Sequence, residues 1–120
     1  MQAQQVIERL FDAIDGCDAA RFATFLADDV VFRFGNAEPV RGKAQVQQVV
    51  AGFFASIQTL RHEIDQTWQC DDAVICHGQV TYVRHDGTEL TVPFADIFKM
   101  AADGLISEYI IFADISALYV

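Results

Sequence analysis

Basic residues are scarce in this chain of 120 residues. Eight Lys and Arg stand against 17 Asp and Glu, which gives a formal net charge of -9 with His counted as neutral. So acidic a chain repels the phosphates of nucleic acids and of anionic lipid surfaces. We therefore expect no nucleic-acid partner and no membrane partner, and favour a neutral or weakly charged small molecule as ligand.

Long apolar runs are also absent. No stretch reaches the roughly 20 residues that a helix needs to cross a bilayer, and the first nine residues lack the apolar core of a signal peptide. The three cysteines, Cys17, Cys70 and Cys76, are odd in number and show no metal-ligand spacing, so we interpret them as reduced small hydrophobic residues. These features predict a cytoplasmic protein.

Two further absences limit the kind of chemistry. No grouping of His, Asp and Glu has the spacing of a metal site, and no Gly-rich phosphate loop is present. We therefore expect neither a metal nor a cofactor. Linkers, repeats and low-complexity stretches are missing as well, which predicts one domain over residues 1–120.

Apolar and aromatic residues, by contrast, are abundant. They include ten Phe, three Tyr and one Trp, and hydrophobic residues make up 52% of the chain, which excludes disorder. So many rings suit a core or a ring-lined pocket. The residues that we expect to line such a pocket are Phe32, Phe34, Trp68, Phe94, Phe98 and Phe112.

The first half of the chain predicts three helices and a strand. Apolar residues recur at three- and four-residue steps over residues 3–14 and 43–56, and a short helix over residues 19–26 follows a capping Asp18. A strand is expected over residues 30–34, followed by a loop over residues 35–42.

The second half predicts four strands, over residues 60–70, 74–84, 90–100 and 105–114. The pairs Asp86-Gly87 and Asp103-Gly104 are strong hairpin signals, because Gly tolerates the positive φ of such turns. Antiparallel strands with segregated helices predict an α+β fold, a cone-shaped curved antiparallel sheet wrapped around the N-terminal helices. The open end of the cone is a natural ligand pocket.

A homodimer is expected through the outer face of this sheet. The third and fourth strands carry few charges on either face, notably at Ile75, Val80, Val83 and Ile97. A sheet that is apolar on both sides needs cover on both sides.

Asp96 is the foremost candidate for a catalytic residue. Strand alternation places it on one face with Phe94 and Phe98, where rings exclude water and raise the pKa of the carboxyl group. A carboxylate in an apolar stripe is costly unless it is paired, protonated or functional. The alternative is that Asp96 accepts hydrogen bonds and orders the sheet.

Asp114 and His62 are the other two candidates. Alternation places Asp114 with Ile110 and Phe112, where it is either a pocket acid or a cap of the C-terminal turn. His62 shares the apolar face of its strand with Trp68, and either fills the core or relays a proton to an Asp. His77 could share that wall.

Several short motifs resemble the SnoaL-like branch of the nuclear transport factor 2-like superfamily, over nearly the whole chain. The motifs that carry the resemblance are FLADDVVF from Phe25, PVRGK from Pro39, LRHEI from Leu60, PFADIF from Pro93, DGLISEY from Asp103 and FADIS from Phe112. The resemblance implies the cone fold, a small-molecule ligand and a cofactor-free site, while the fold itself serves many functions.

Comparison with relatives narrows the chemistry that the resemblance implies. The protonated Asp of ketosteroid isomerase, an example of a shifted pKa, falls on Asp96, but its Tyr falls on Leu10 and its base near Phe34. The last Asp of limonene-epoxide hydrolase falls on Asp114, whereas its Arg and other Asp fall on Gln79 and Thr81. Both sets are incomplete here.

Two functions are therefore open at this point. One is a cofactor-free acid–base enzyme of the isomerase, cyclase or hydrolase type, acting on a small apolar carbonyl compound through Asp96 or Asp114, assisted by His62. The alternative is a non-catalytic ligand-binding or dimerisation module whose pocket is closed or filled by a metabolite.

Overall fold

The computed structural model describes residues 2–119, which form three helices and six strands. The helices are α1 (Ala3–Asp15), α2 (Ala19–Ala23) and α3 (Lys43–Ala55). The strands are β1 (Leu26–Phe34), β2 (Val40–Arg41), β3 (Thr59–Cys70), β4 (Ala73–Val83), β5 (Glu89–Met100) and β6 (Ile106–Phe112). Within the described range, no helix is both long enough and apolar enough to span a bilayer.

The six strands form one open, curved sheet in the order β2-β1-β6-β5-β4-β3. This confirms the predicted α+β fold with N-terminal helices. One pairing departs from the expected antiparallel pattern, because β1 runs parallel to β6. The long connection through α3 and the β3–β5 strands brings the chain back beside β1, which is the crossover that parallel pairing needs.

The helices cover the inner face of the sheet. Helix α1 contacts β3, and helix α3 contacts both α2 and β1. The apolar stripe of α1 is buried, as its periodicity predicts: Ile7, Leu10, Phe11, Ala13 and Ile14. In α3 the buried residues are Val46, Val50 and Phe54.

Strand β3 contains a bulge that changes which side chains face inward. Ile64 pairs with Gly78, but Gln66 pairs with His77, so Asp65 is an extra residue in β3. An extra residue inverts the alternation of every side chain beyond it. Leu60 and His62, before the bulge, therefore face the helices, whereas Trp68 faces outward opposite Ile75.

Gly78 allows β3 to approach β4 closely at this bulge. A β-carbon at this position would overlap the carbonyl oxygen of Glu63 and lie 2.9 Å from the carbonyl carbon of Glu63. No side chain fits there without moving the backbone of β3. The bulge and the glycine together fix the register of the β3–β4 hairpin.

The largest differences from the sequence-based boundaries occur at α2, β1, β2 and β6, and the other boundaries agree to within one residue. Helix α2 ends at Ala23 because β1 already begins at Leu26, and the two-residue β2 was predicted as loop. Strand β6 ends at Phe112, two residues before the predicted end. Both predicted Asp-Gly turns are present, with φ of 86° at Gly87 and 84° at Gly104.

Substitution of Gly78 by Ala is expected to destabilise the fold, because the backbone of β3 must shift to make room for the β-carbon. The loss of stability should reach the upper end of the roughly 1–3 kcal/mol that is typical of overpacked sites, or exceed it. Gly52→Ala is the matched control, because nothing lies within 4 Å of a β-carbon at that helical position. It should stabilise the protein by about 0.5–1 kcal/mol. Urea unfolding of both variants measures the effect, and a Gly78→Ala midpoint equal to that of the wild type would contradict this account of the bulge.

Candidate functional site

A cavity of about 230 Å³ lies between the helices and the inner face of the sheet. Its wall is almost entirely aliphatic and aromatic. The apolar lining residues are Ile14, Phe22, Phe32, Phe34, Ala37, Val49, Val50, Phe53, Phe54, Leu60, Val80, Phe94, Ile111 and Ile115. Four lining residues carry polar groups, namely His62, Tyr82, Asp96 and Tyr109.

The cavity opens between α3, the β1–β2 loop and the C-terminal segment. Val49 of α3 is 46% exposed, and Ala37 of the loop is also exposed, although both belong to the cavity wall. The polar lining residues Tyr82, Asp96 and Tyr109 are fully buried. A ligand that enters past Val49 therefore meets polar groups only at the inner end.

Asp96 is withdrawn from water almost completely, with 1% of its surface exposed. The Tyr109 hydroxyl donates a hydrogen bond to its Oδ2 atom at 3.4 Å, which is long for an O–H···O contact. Its Oδ1 atom has no hydrogen-bond partner among the described residues. A buried, ionised carboxylate with so little compensation is strongly disfavoured.

Burial raises the pKa of Asp96 well above its ordinary value, and the hydrogen bond from Tyr109 opposes this by a smaller amount. Both effects follow from which form they favour, since low polarity disfavours the anion and a donated hydrogen bond favours it. The protonated acid is thereby favoured. Because Oδ2 already accepts from Tyr109, Oδ1 is the position left for the proton of the neutral acid.

The groups around Asp96 are held in their neutral forms too. Burial, and next the charge of Asp96, raise the pKa of the Cys76 thiol to about 12. The same two causes raise the pKa of the Tyr82 and Tyr109 hydroxyls. The inner end of the cavity therefore offers hydrogen-bond donors without a fixed charge.

His62 lies in the wall of the same cavity and is paired with Asp15 at the end of α1. Its Nδ1 atom lies 2.6 Å from Asp15 Oδ1, and its backbone N–H donates to Asp15 Oδ2 at 3.1 Å. The His62 ring also packs against Phe11 and Phe94, with centroid distances of 4.8 Å and 5.2 Å. Both the carboxylate and the rings hold the imidazole in one orientation.

Asp114 requires a correction, because the structure places it outside the cavity wall. Strand β6 has ended at Phe112, so strand alternation no longer governs the direction of this side chain. The carboxylate is exposed and accepts a hydrogen bond from the Ser116 backbone N–H at 3.0 Å. That bond, and next the Ser116 hydroxyl, lower the pKa of Asp114, as expected for the capping alternative.

Two expected pocket rings also lie elsewhere. Trp68 is 48% exposed on the outer face, where it stacks on His77, because the bulge has inverted its direction. Phe112 is 55% exposed, since its partner Ala95 belongs to the outward set of β5. His77, the further wall candidate, is exposed with Trp68.

Phe98 requires a smaller correction. It is fully buried, as its strand position predicts, but it packs within the core rather than along the cavity, with its ring centroid 4.3 Å from that of Tyr109. Phe32, Phe34 and Phe94 do line the cavity as expected. Phe98 thus packs behind the cavity wall, against the lining residue Tyr109.

Two polar site residues, Asp15 and Tyr109, were not singled out from the sequence. Asp15 is the last residue of α1, and its contact with His62 spans 47 positions of the chain. Tyr109 would have been found from the register, because it pairs with Phe98 on the inner face. Among residues 2–119, no group of three metal-ligand side chains converges.

A family model, described as the SnoaL-like domain, matches residues 7–109 of this chain. This match covers all three helices apart from the first turn of α1, and every strand except the end of β6. No functionally curated protein matches the sequence significantly.

Three solved structures illustrate the similarity of fold. A candidate SnoaL-like polyketide cyclase from Jannaschia sp. CCS1 is 21% identical, with 97% of this chain and 88% of that chain covered and a TM-score of 0.83. A protein with a ketosteroid isomerase-like fold from Catenulispora acidiphila, in complex with trimethylamine, is 17% identical, with 92% of this chain and 86% of that chain covered and a TM-score of 0.84. An LEH-like epoxide hydrolase from M. tuberculosis is 16% identical, with 94% of this chain and 83% of that chain covered and a TM-score of 0.81.

Asp96→Asn is expected to gain stability relative to the wild type as the pH rises. Because the folded pKa of Asp96 is raised, the folded state binds the extra proton between the unfolded value, about 3.9, and the folded value. Across that window the free energy of unfolding of the wild type falls by up to about 1.4 kcal/mol per pH unit, and Asn has no such loss.

Urea unfolding of both proteins at pH 5, 7 and 9 measures this difference. Asp114→Asn is the matched control, because a lowered pKa contributes stability above its unfolded value and loses it only on acidification. The difference in the free energy of unfolding between Asp114→Asn and the wild type should stay constant from pH 5 to 9. A constant difference for Asp96→Asn as well would show that Asp96 is not a buried neutral acid.

Proposed function

This chain belongs to the SnoaL-like domain family, and we propose that it is a cofactor-free acid–base enzyme for a small, mostly apolar carbonyl compound. Asp96 serves as the hydrogen-bond donor to the ligand oxygen, and His62 serves as the base. The observation that carries the proposal is the free Oδ1 of a fully buried carboxyl group in the wall of an otherwise apolar cavity.

The acidic hydrogen of Asp96 supports the first role. A neutral acid donates a hydrogen bond without bringing a charge into the cavity, and the bond strengthens as negative charge develops on the acceptor. An enolate oxygen gains such charge when a proton leaves the neighbouring carbon. Asp96 therefore favours the transition state over the bound carbonyl, which is the condition for catalysis.

The orientation of His62 supports the second role. With Nδ1 directed at Asp15, the other ring nitrogen, Nε2, keeps its lone pair and can take a proton. In the proposed step the carbon–hydrogen bond of the ligand breaks, its proton goes to Nε2, and its electron pair moves to the carbonyl oxygen held by Asp96. General base catalysis of this kind contributes roughly 10²–10⁴-fold in rate.

The size and lining of the cavity support the ligand class. Its volume of about 230 Å³ lies below the roughly 300–1,000 Å³ of sites for drug-sized ligands. Phe34, Phe53 and Phe94 offer aromatic rings to an apolar body, while no Lys or Arg among the described residues lines the wall to hold a carboxylate or a phosphate. A compact ring ketone, or a similar conjugated carbonyl compound, fits these features.

Binding of 4-nitrophenolate, whose charged oxygen resembles that of an enolate, tests the role of Asp96. Asp96→Leu should weaken binding by about 10- to 150-fold, because a hydrogen bond to a charged group is worth about 1.5–3 kcal/mol. Asp96→Asn, which can still donate from its amide, should weaken it less. The absorbance of the bound phenolate measures both affinities.

Asp114→Asn removes an exposed carboxylate outside the cavity and should leave phenolate affinity unchanged. Equal affinities for the wild type and Asp96→Leu would contradict the proposed donor. Absence of any phenolate binding, with the fold intact by circular dichroism, would favour the alternative of a closed or metabolite-filled module.

We also propose a homodimer through the outer sheet face, acting in the cytoplasm. Trp68, Ile75, Ile97 and Ile110 stand opposite one another in register across β3, β4, β5 and β6, as one apolar row. Val80, named from the sequence for this face, is instead buried in the cavity wall. All three cysteines are free, which suits a reducing compartment.

Ile97→Lys, which places a charge in the middle of this apolar row, should convert the dimer into a monomer in sedimentation velocity at micromolar concentration. Gln48→Lys adds the same charge on the exposed side of α3 and should leave the assembly state unchanged. A wild-type protein that sediments only as a monomer would refute the dimer, whereas the cavity proposal does not depend on it.

A further inference from the structure

His62 separates two spaces of different character. On one side lies the apolar cavity, and on the other lies a groove between α1 and β3. The residues that line this α1–β3 groove are Gln4, Ile7, Glu8, Phe11, Asp12, Asp15, His62, Ile64 and Thr67. Among the described residues, His62 is the only one that lines both the cavity and the α1–β3 groove.

The carboxylate of Asp15 uses both of its oxygens on His62. Oδ1 contacts the ring at Nδ1, and Oδ2 accepts from the backbone N–H of the same residue. The side chain of His62 is 10% exposed and that of Asp15 is 31% exposed. The side chain of the base is therefore largely buried, and the group that holds it lies on the side of the groove, away from the ligand cavity.

Helix stability does not explain an acidic residue at this position. Asp15 is the last residue of α1, whose final turn contains no basic residue, and Asp12 lies in the same turn. Carboxylates at the C-terminal end of a helix are disfavoured by its dipole. The contact with His62 is the interaction of Asp15 that compensates for this placement.

We propose that Asp15 is a positioning residue for the reaction, which fixes the His62 tautomer with hydrogen on Nδ1 and stabilises the imidazolium once Nε2 has taken a proton. The assignment rests on the proposed function of His62 as base. In the known case of a Ser–His–Asp site, removal of the Asp charge leaves the geometry intact but selects the wrong tautomer. Asp15 does not contact the ligand, since it lies outside the lining of the cavity.

The first test is the tautomer itself, which needs no substrate. In ¹⁵N NMR of the whole protein at pH 8, His62 should carry its hydrogen on Nδ1. In Asp15→Asn the amide can donate to Nδ1, so a substantial fraction of the Nε2–H tautomer should appear. Asp12→Asn, which removes an equal charge from the same turn of α1, should leave the wild-type tautomer.

The second test is proton abstraction from 5-nitrobenzisoxazole, a small apolar probe. Its carbon–hydrogen bond breaks to a base, the electron pair forms the nitrile, and the ring N–O bond breaks to release a coloured phenolate. The rate constant kcat should fall by roughly 10²-fold or more in His62→Gln, within the range that general base catalysis contributes. It should fall by at least about ten-fold in Asp15→Asn, which keeps the base but shifts its tautomer. Asp12→Asn should retain the wild-type rate.

The outcomes separate the two proposals. A wild-type His62 with hydrogen on Nε2, or an Asp15→Asn protein with unchanged tautomer and unchanged kcat, overturns the assignment of Asp15. Equal rates for the wild type and His62→Gln overturn His62 as the base of the proposed function, while the tautomer measurement still decides whether Asp15 sets the ring. Loss of stability in Asp15→Asn without a tautomer change would show that Asp15 stabilises the fold but does not position the His62 ring.

Discussion

The removal of the Asp96 carboxyl group from water is the constraint on which the site depends. An ionised carboxylate at this position would have one long hydrogen bond from Tyr109 and an unpaired second oxygen. The cost of that arrangement favours the protonated acid, and the same exclusion of water keeps the nearby thiol and hydroxyls neutral. A neutral donor in a dry cavity, rather than a charge, is thus what the sheet presents to a ligand.

The curvature and register of the sheet decide which side chains share this cavity. Asp96 comes from β5 and His62 from β3, with β4 between them, so each approaches a ligand from a different part of the wall. The Asp65 bulge and the side-chain-free Gly78 hold β3 in the register that directs His62 inward. A fold element far from any chemical step therefore sets the position of the proposed base, as is common for sites built on rigid strands.

The sequence predicted the parts of the site that follow from regular alternation. Asp96 and Phe94 lie inward because β5 is regular across the cavity, and the helical stripe of α1 is buried as its period indicates. The predicted pocket position of Trp68 was wrong because a bulge has no clear local signal in the sequence. The predicted pocket position of Asp114 was wrong because the end of β6 could not be located to within two residues. Local sequence patterns do not reveal the β3 bulge or the end of β6, since both features depend on pairing with strands that are distant in the chain.

Tertiary contacts account for the remaining gaps. The Asp15–His62 pair joins positions 47 residues apart, and the parallel pairing of β1 with β6 joins the first strand of the chain to the last one. Neither is encoded in a spacing that a single sequence reveals. The family resemblance supplied the overall fold, but the catalytic sets of ketosteroid isomerase and limonene-epoxide hydrolase are both incomplete here, so the chemistry had to be argued from the geometry of this chain's own residues.

Direct titration of the Asp96 carboxyl carbon by carbon-detected NMR tests the central claim. We expect an apparent pKa for Asp96 clearly above the reference value of about 3.9, with the exposed carboxyl of Asp114 titrating below Asp96 in the same spectra. An apparent pKa for Asp96 at or below the reference value would mean that the carboxylate is solvated or paired, and the neutral donor on which the site depends would not exist.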